Sequence, residues 1–247
     1  MKNIATWNLR SISWKVSLWL LAISAVVMVA SYTDPAVRLL YLVTLLWLGF
    51  TGIVYCWKPF VTHPWLRYAV TAIVLLLAGW FIFGGRPVNR EHLRQAYLAR
   101  LRSFTGAHYL WGGEGHVAID CSGLARTALW EAMLTTGIAE HNPRLLGPQC
   151  WSFWWHDVGS HALEDGTHGY TRVIGHAIRL GGYHNAELRP GDVAIASHVH
   201  VLIYLGDDRW IEANPEDGKV VINPATENST RGYFNVPVTL VRWRMLE

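Results

Sequence analysis

Two stretches of the 247-residue chain have residue types and spacing suited to chemistry. The first is "AIDCSGLART", in which a lone cysteine, Cys121, stands between Asp120 and Ser122. A thiolate attacks a carbonyl carbon when an imidazole lies close enough to take its proton. The second, "SHVHVLIYLGDDRWIEANPEDG", supplies two imidazoles, His198 and His200. On local grounds Cys121 is either such a nucleophile or a small apolar residue filling a core. Cys150, in "GPQCWSFWW", is the rival thiol, but it has no helix-start signal and reads as structural. Cys56 lies in an apolar run. Three cysteines without a C-x-x-C pair make neither a disulfide framework nor a structural zinc site.

These residues need elements to hold them. "CSGLARTALWEAML" has no proline and places Leu124, Ala128 and Trp130 or Glu131 at helical intervals, so a helix starting near Cys121 is expected, with Asp120 as its N-cap. Unpaired N–H groups and the helix dipole there stabilise negative charge, which favours a thiolate. Strand alternation sends His198, His200, Leu202 and Tyr204 to one face and Val201, Ile203 and Leu205 to the other. Upstream, "REHLRQAYLARLRSF" spaces Leu93, Tyr97, Leu101 and Phe104 as the buried stripe of a helix. After the turn signal Pro190-Gly191-Asp192 come the strand-like runs "VAIAS", "VHVLIYL", "RWIEA", "KVVI" and "VTLVRWR". Between them, residues 141–185 carry Gly, Pro, His and Trp without periodicity and read as a long, partly ordered insertion. Helices first and an antiparallel meander after them make the class α+β.

The N-terminal third is different. Three apolar stretches, at about 16–32, 39–57 and 68–83, approach the roughly 20 residues that cross a bilayer core. Trp14, Trp57, Trp65 and Trp80 lie near their ends, as interfacial aromatics do. Residues 1–85 therefore read as a three-helix membrane anchor and 86–247 as one folded domain, with "GGRPVNR" between them. The first stretch lacks a good cleavage signal and reads as an uncleaved anchor. Basic residues flank both sides of the third stretch, so charge alone leaves the orientation open. The folded part is close to neutral, with fifteen Lys/Arg against seventeen Asp/Glu from Arg86 onward, and it lacks a basic aromatic stripe, so nucleic acid is not an expected partner.

Four blocks in order, "YLWGG" (109–113), "DCSGL" (120–124), "LRPGDV" (188–193) and "HVLIYLG" (200–206), resemble the NlpC/P60 family of cell-wall cysteine peptidases. The resemblance covers about 93–223 and implies a papain-like α+β core, helices packed on a small antiparallel sheet. By matching position it implies Cys121 as nucleophile and His200, rather than His198, as general base. Tyr109 would stand beside the thiol near the oxyanion, and Asp120 and Ser122, which match the residues flanking the nucleophile, would join it as oxyanion or substrate residues. Cysteine before histidine fits the unpermuted branch. The family's third polar residue, usually histidine, falls about twelve positions after the base, where this chain has Glu212. A strict two-residue turn at Asp207-Asp208 would put Glu212 on the wrong face, so a bulge near Gly206 is required. Asn214 is the alternative third residue.

What the resemblance implies is a membrane-anchored hydrolase of an amide in peptidoglycan stem peptides, between D-glutamate and the following diamino acid. Its domain would then be extracytoplasmic on a multi-pass inner-membrane anchor. The alternatives are an amidase or acyltransferase working on a lipid or lipoprotein at the membrane surface, and a non-catalytic wall-binding module. No cofactor is expected. The histidines of the insertion form no HExxH or H-x-C pattern, so no metal is expected either. Protein partners stay undefined.

Overall fold

The structure, a computed structural model, describes residues 16, 17, 19–21, 35–156 and 158–247. The chain divides after Phe83 into two compact units. In the first, α1 (Pro35–Thr62) and α2 (Pro64–Phe83) each open on a proline, whose missing N–H is no loss at the first helical position. Among the described residues α2 is the one helix long and apolar enough to cross a bilayer. Its 20 residues rise about 30 Å, the thickness of a hydrocarbon core. None of its residues is buried, and Leu76 and Phe83 are 73% and 85% exposed. The apolar stretch of α1 is the shorter Arg38–Ile53. Of the three expected spans, the one at 16–32 lies mostly outside the described residues, the one at 39–57 falls within α1, and the one at 68–83 falls within α2, which begins four residues earlier.

The second unit starts with α3 (Arg90–Ser103), capped by the Asn89 side chain, which accepts from the His92 N–H at 3.1 Å. Leu93, Tyr97, Leu101 and Phe104 are all buried, and the Tyr97 hydroxyl accepts from the Trp243 indole N–H at 3.2 Å. Two short strands, β1 (His108–Tyr109) and β2 (Ala118–Ile119), lead into α4 (Cys121–Ala139), which packs along α3. The expected insertion is more regular than its composition suggests. It holds α5 (Pro143–Leu146), α6 (Pro148–Trp155) and α7 (Ser160–Glu164), and then a full strand, β3 (Thr171–Ala177). That strand escapes a periodicity search because it is an edge strand, largely exposed, with a register shift between Val173 and Gly175.

The remaining strands are β4 (Val193–Ala196), β5 (His200–Gly206), β6 (Arg209–Asn214), β7 (Lys219–Pro224) and β8 (Val238–Trp243). They close an eight-stranded sheet in the order β2-β1-β7-β6-β5-β4-β8-β3. The expected antiparallel meander is the run β4 to β7, but the whole sheet is mixed, since β1 and β2 pair in parallel. Both faces of its centre are covered. Val201, Ile203 and Leu205 join the core under the helices, and Leu202 joins Trp210, Phe234 and Leu240 in a second cluster on the other side. The "RPGD" turn is tied to β8 by a buried two-pronged ion pair. Arg242 Nε and Nη2 each lie 2.7 Å from an Asp192 carboxylate oxygen.

Candidate active site

Asp120 organises the start of α4. Its Oδ1 accepts from the Gly123 N–H at 2.5 Å and from the Ser122 hydroxyl at 3.0 Å, while Oδ2 accepts from the Gly112 N–H at 2.9 Å. The Asp120 N–H in turn donates to Gly113 O at 3.0 Å. The "WGG" loop is thereby fastened to the first turn of the helix. Glycine is needed at 123 for room: a Cβ there would stand 2.5 Å from Gly113 O. The sequence groups Asp120 and Ser122 with the oxyanion and substrate residues. In the structure both side chains are engaged in these hydrogen bonds.

Cys121 is the first residue of α4, and its side chain packs against the start of β5. The thiol donates to Val199 O at 3.9 Å and accepts from the Val201 N–H, so it lies against the two residues that flank His200. Burial pushes the thiol up to about 12, reinforced by the Asp120 charge and opposed by N–H groups of Val201, Ser122 and Cys121 itself. A thiolate in so dry a place is stable only with a positive partner, and an imidazole at the same strand start is the group that can become one.

His200 is 2% exposed, and its Nε2 lies 2.7 Å from Glu212 Oε2. With Nε2 engaged, Nδ1 is the ring nitrogen left for proton exchange. Glu212 is 1% exposed; Asn223 Nδ2 donates to its Oε1 at 3.5 Å, and Arg231 Nη1 stands 3.9 Å from the same oxygen. This meeting depends on the β5–β6 hairpin. Asp207 and Asp208 both take left-handed φ values, 52° and 56°, the two-residue turn that matches strand twist. Tyr204 pairs with Trp210 but Gly206 with Arg209, so one extra residue, Leu205, is bulged into β5. The bulge returns Glu212 to the face of His200. Asn214 shares that face, but its Oδ1 accepts from the N–H groups of Glu216 (2.7 Å) and Asp217 (3.3 Å) and so builds the next turn.

Tyr109 is half-buried, and its hydroxyl is pushed up to about 12 by burial and by the nearby Cys121, Asp120 and Tyr233. It is a neutral donor beside the thiol, able to hold an oxyanion. His198 departs from expectation. It precedes β5 in a turn where Ser197 and His198 are both left-handed (φ 49° and 65°), and its ring turns to Glu164 on α7 instead of sharing the strand face. Cys150 is buried in the helix-side core near Phe153, and burial pushes its thiol up to about 11. Sequence reading missed Tyr233, whose ring stacks on His200 at 3.8 Å and 17°, and missed Asn223 and Arg231 around Glu212. Tyr233 and Arg231 come from an irregular stretch before β8, where no periodicity announces them.

The model of the NlpC/P60 family matches residues 106–238, more than half of the chain. Comparison with curated proteins gives no match. Solved structures give low-level likenesses. NlpC1 from Trichomonas vaginalis is 16% identical with a TM-score of 0.40, over 61% of this chain and 43% of that one, so the chain spans less than half of that protein. The peptidoglycan hydrolase RipB from Mycobacterium tuberculosis is 20% identical with a TM-score of 0.39, over 64% and 67% of the two chains. An N-acetylmuramoyl-L-alanine amidase from Bacteroides uniformis is 11% identical with a TM-score of 0.39, over 61% and 98%. By the extent of the family match, the chain belongs to the NlpC/P60 family.

Proposed function

We propose that this protein cleaves an amide bond in the peptide stems of peptidoglycan, the bond between D-glutamate and the following diamino acid, through a Cys121 acyl-enzyme. The observation that carries the reading is the buried His200–Glu212 bond at the strand start that touches the Cys121 sulfur. In the first step His200 takes the thiol proton as sulfur attacks the carbonyl carbon, and the imidazolium is stabilised by Glu212. Tyr109 and the N–H groups opening α4 hold the oxyanion. His200 then gives its proton to the leaving amine, the C–N bond breaks, and a thioester remains. In the second half His200 activates water, which displaces the thiolate and regenerates the enzyme.

The anchor has three spans in this reading, at 16–32, 39–57 and 68–83, with the hydrolase on the extracytoplasmic side of the inner membrane. The apolar patterning of the N-terminal third and the α2 helix support it. A second reading, an amidase or acyltransferase acting on a lipid or lipoprotein, is favoured by Trp111 and Trp151, which are 75% and 63% exposed and could meet a headgroup layer. The deciding experiment digests purified muropeptides and, separately, lipoprotein vesicles with the full-length protein in detergent, followed by mass spectrometry. Products of D-glutamyl bond cleavage that vanish with Cys121→Ala support the proposal. Turnover of the lipid substrate alone transfers the site to the second reading, and identical behaviour of native protein and Cys121→Ala on both substrates removes both.

A further inference from the structure

A second constellation sits on the same domain and takes no part in the proposed chemistry. His161 and Glu164, three residues apart on α7, face His198 from the turn between β4 and β5. One ligand-type atom from each of the three lies within 4.8 Å of the others. The imidazoles of His161 and His198 are parallel to within 2° with centroids 5.9 Å apart. His198 Nδ1 is 2.5 Å from Glu164 Oε2.

The surroundings hold this group in place. The Thr239 hydroxyl donates to Glu164 Oε1 at 2.5 Å, fixing the carboxylate through its other oxygen. The Ser160 hydroxyl donates to His198 O at 2.8 Å and ties the turn to the start of α7. Two successive non-glycine residues in the left-handed region, Ser197 and His198, carry the second imidazole to the helix. Such backbone is rare and gathers at ligand clamps. Glu164 and His198 also border an open cleft of about 320 Å³, whose wall includes a further imidazole, His176.

An ordinary ion pair accounts for only part of this. Glu164 with a protonated His198 would explain one contact, and at a half-open surface such a pair contributes little. It explains neither the second, parallel imidazole nor the hydroxyl bracing the far oxygen. Two neutral imidazoles and one carboxylate, with the carboxylate oriented from behind and a solvent-open side, are the donor set of a three-ligand site with an exchangeable fourth position. The geometry points to a binding site for a zinc-like divalent cation formed by His161, Glu164 and His198. Nitrogen donors select such an ion over magnesium or calcium, which prefer oxygen. Because α7 lies 34 residues before the turn in sequence, no local motif marks the site.

The test is independent of hydrolysis. Full-length protein in detergent, carrying Cys121→Ala to remove that thiol as a competing ligand, is stripped with EDTA and titrated with Zn²⁺ by calorimetry. Co²⁺ is followed in parallel by visible absorption. The expected result is a single equivalent of Zn²⁺ with a micromolar or tighter Kd, four-coordinate cobalt bands and a zinc-dependent rise in Tm, with no response to Mg²⁺ or Ca²⁺. His161→Ala and His198→Ala, both at exposed positions, should each weaken binding at least about 30-fold, and Thr239→Val about 10-fold, with unchanged circular dichroism. Absence of stoichiometric binding overturns the assignment. So does affinity that survives both histidine substitutions, or that disappears only with Cys150→Ala.

Discussion

Replacing Glu212 with glutamine removes one charge from the driest part of the site and leaves its volume almost unchanged. The carboxylate oxygen is 2.7 Å from His200 Nε2, and both side chains are at most 3% exposed. With charge centres about 4 Å apart and an effective dielectric constant near 20, the attraction between carboxylate and imidazolium is about 4 kcal/mol. In the proposed mechanism that attraction develops as His200 accepts the thiol proton, so its loss falls on the barrier. A loss of 3–4 kcal/mol corresponds to roughly a 10²–10³-fold fall in kcat. Glutamine can also turn its NH₂ toward Nε2 and select the tautomer that presents N–H to sulfur, which adds to the loss. The assay is steady-state release of new amino groups from muropeptides by full-length protein in detergent, with kcat and KM separated and Tm recorded. The expected signature is a collapsed kcat with KM within about threefold, because Glu212 does not reach substrate. A folded Glu212→Gln protein whose kcat stays within about fivefold of native would refute the idea that the carboxylate serves the imidazole.

Tyr109→Phe removes a hydroxyl donor beside the thiol and should lower kcat about 10²-fold with little change in KM, measured in the same assay. In His200→Ala only burial, the Asp120 charge and local N–H groups act on Cys121, whose thiol stands at about 12, so its iodoacetamide alkylation rate should climb about tenfold per pH unit from pH 7 to 10. A plateau below pH 9 would show that burial does not govern the thiol. Asp192→Asn leaves Arg242 buried without its counter-charge and should cost about 3–5 kcal/mol in urea unfolding, whereas Asp192→Leu combined with Arg242→Met should recover part of that loss. Equal stability of Asp192→Asn and native protein would mean that the "RPGD" turn is held by something else.

How far the sequence could be read follows from what kind of force sets each feature. The α3 stripe and the strand runs after Pro190 are periodic because they bury one face, and periodicity survives in sequence. Asp120 as N-cap and Cys121 as first helical residue rest on local hydrogen bonding, which residue type encodes directly. The need for a bulge near Gly206 was legible as a parity problem, since Glu212 could not otherwise reach the face of His200. Its placement at Leu205 was not, because register is settled by pairing with β6. Tyr233 and Arg231 owe their places to a loop folded over the sheet, and β3 to an edge exposed to solvent, so neither leaves a pattern. His198 misled for the same reason. Alternation presumes extended backbone, and this residue lies in a left-handed turn.

The single bulged leucine in β5 decides which side chain answers the imidazole. If the hairpin slid back by one position, every strand could persist, the helices could stay packed and the thiol could keep its seat. Yet Ile211 or Ala213 would then occupy the face that Glu212 holds now. Closing the bulge with Leu205 retained should therefore yield a chain that folds and is inert, whereas deleting Leu205 keeps Tyr204 opposite Trp210 and Glu212 on the face of His200, which makes hairpin register as much a part of the chemistry as the reacting groups.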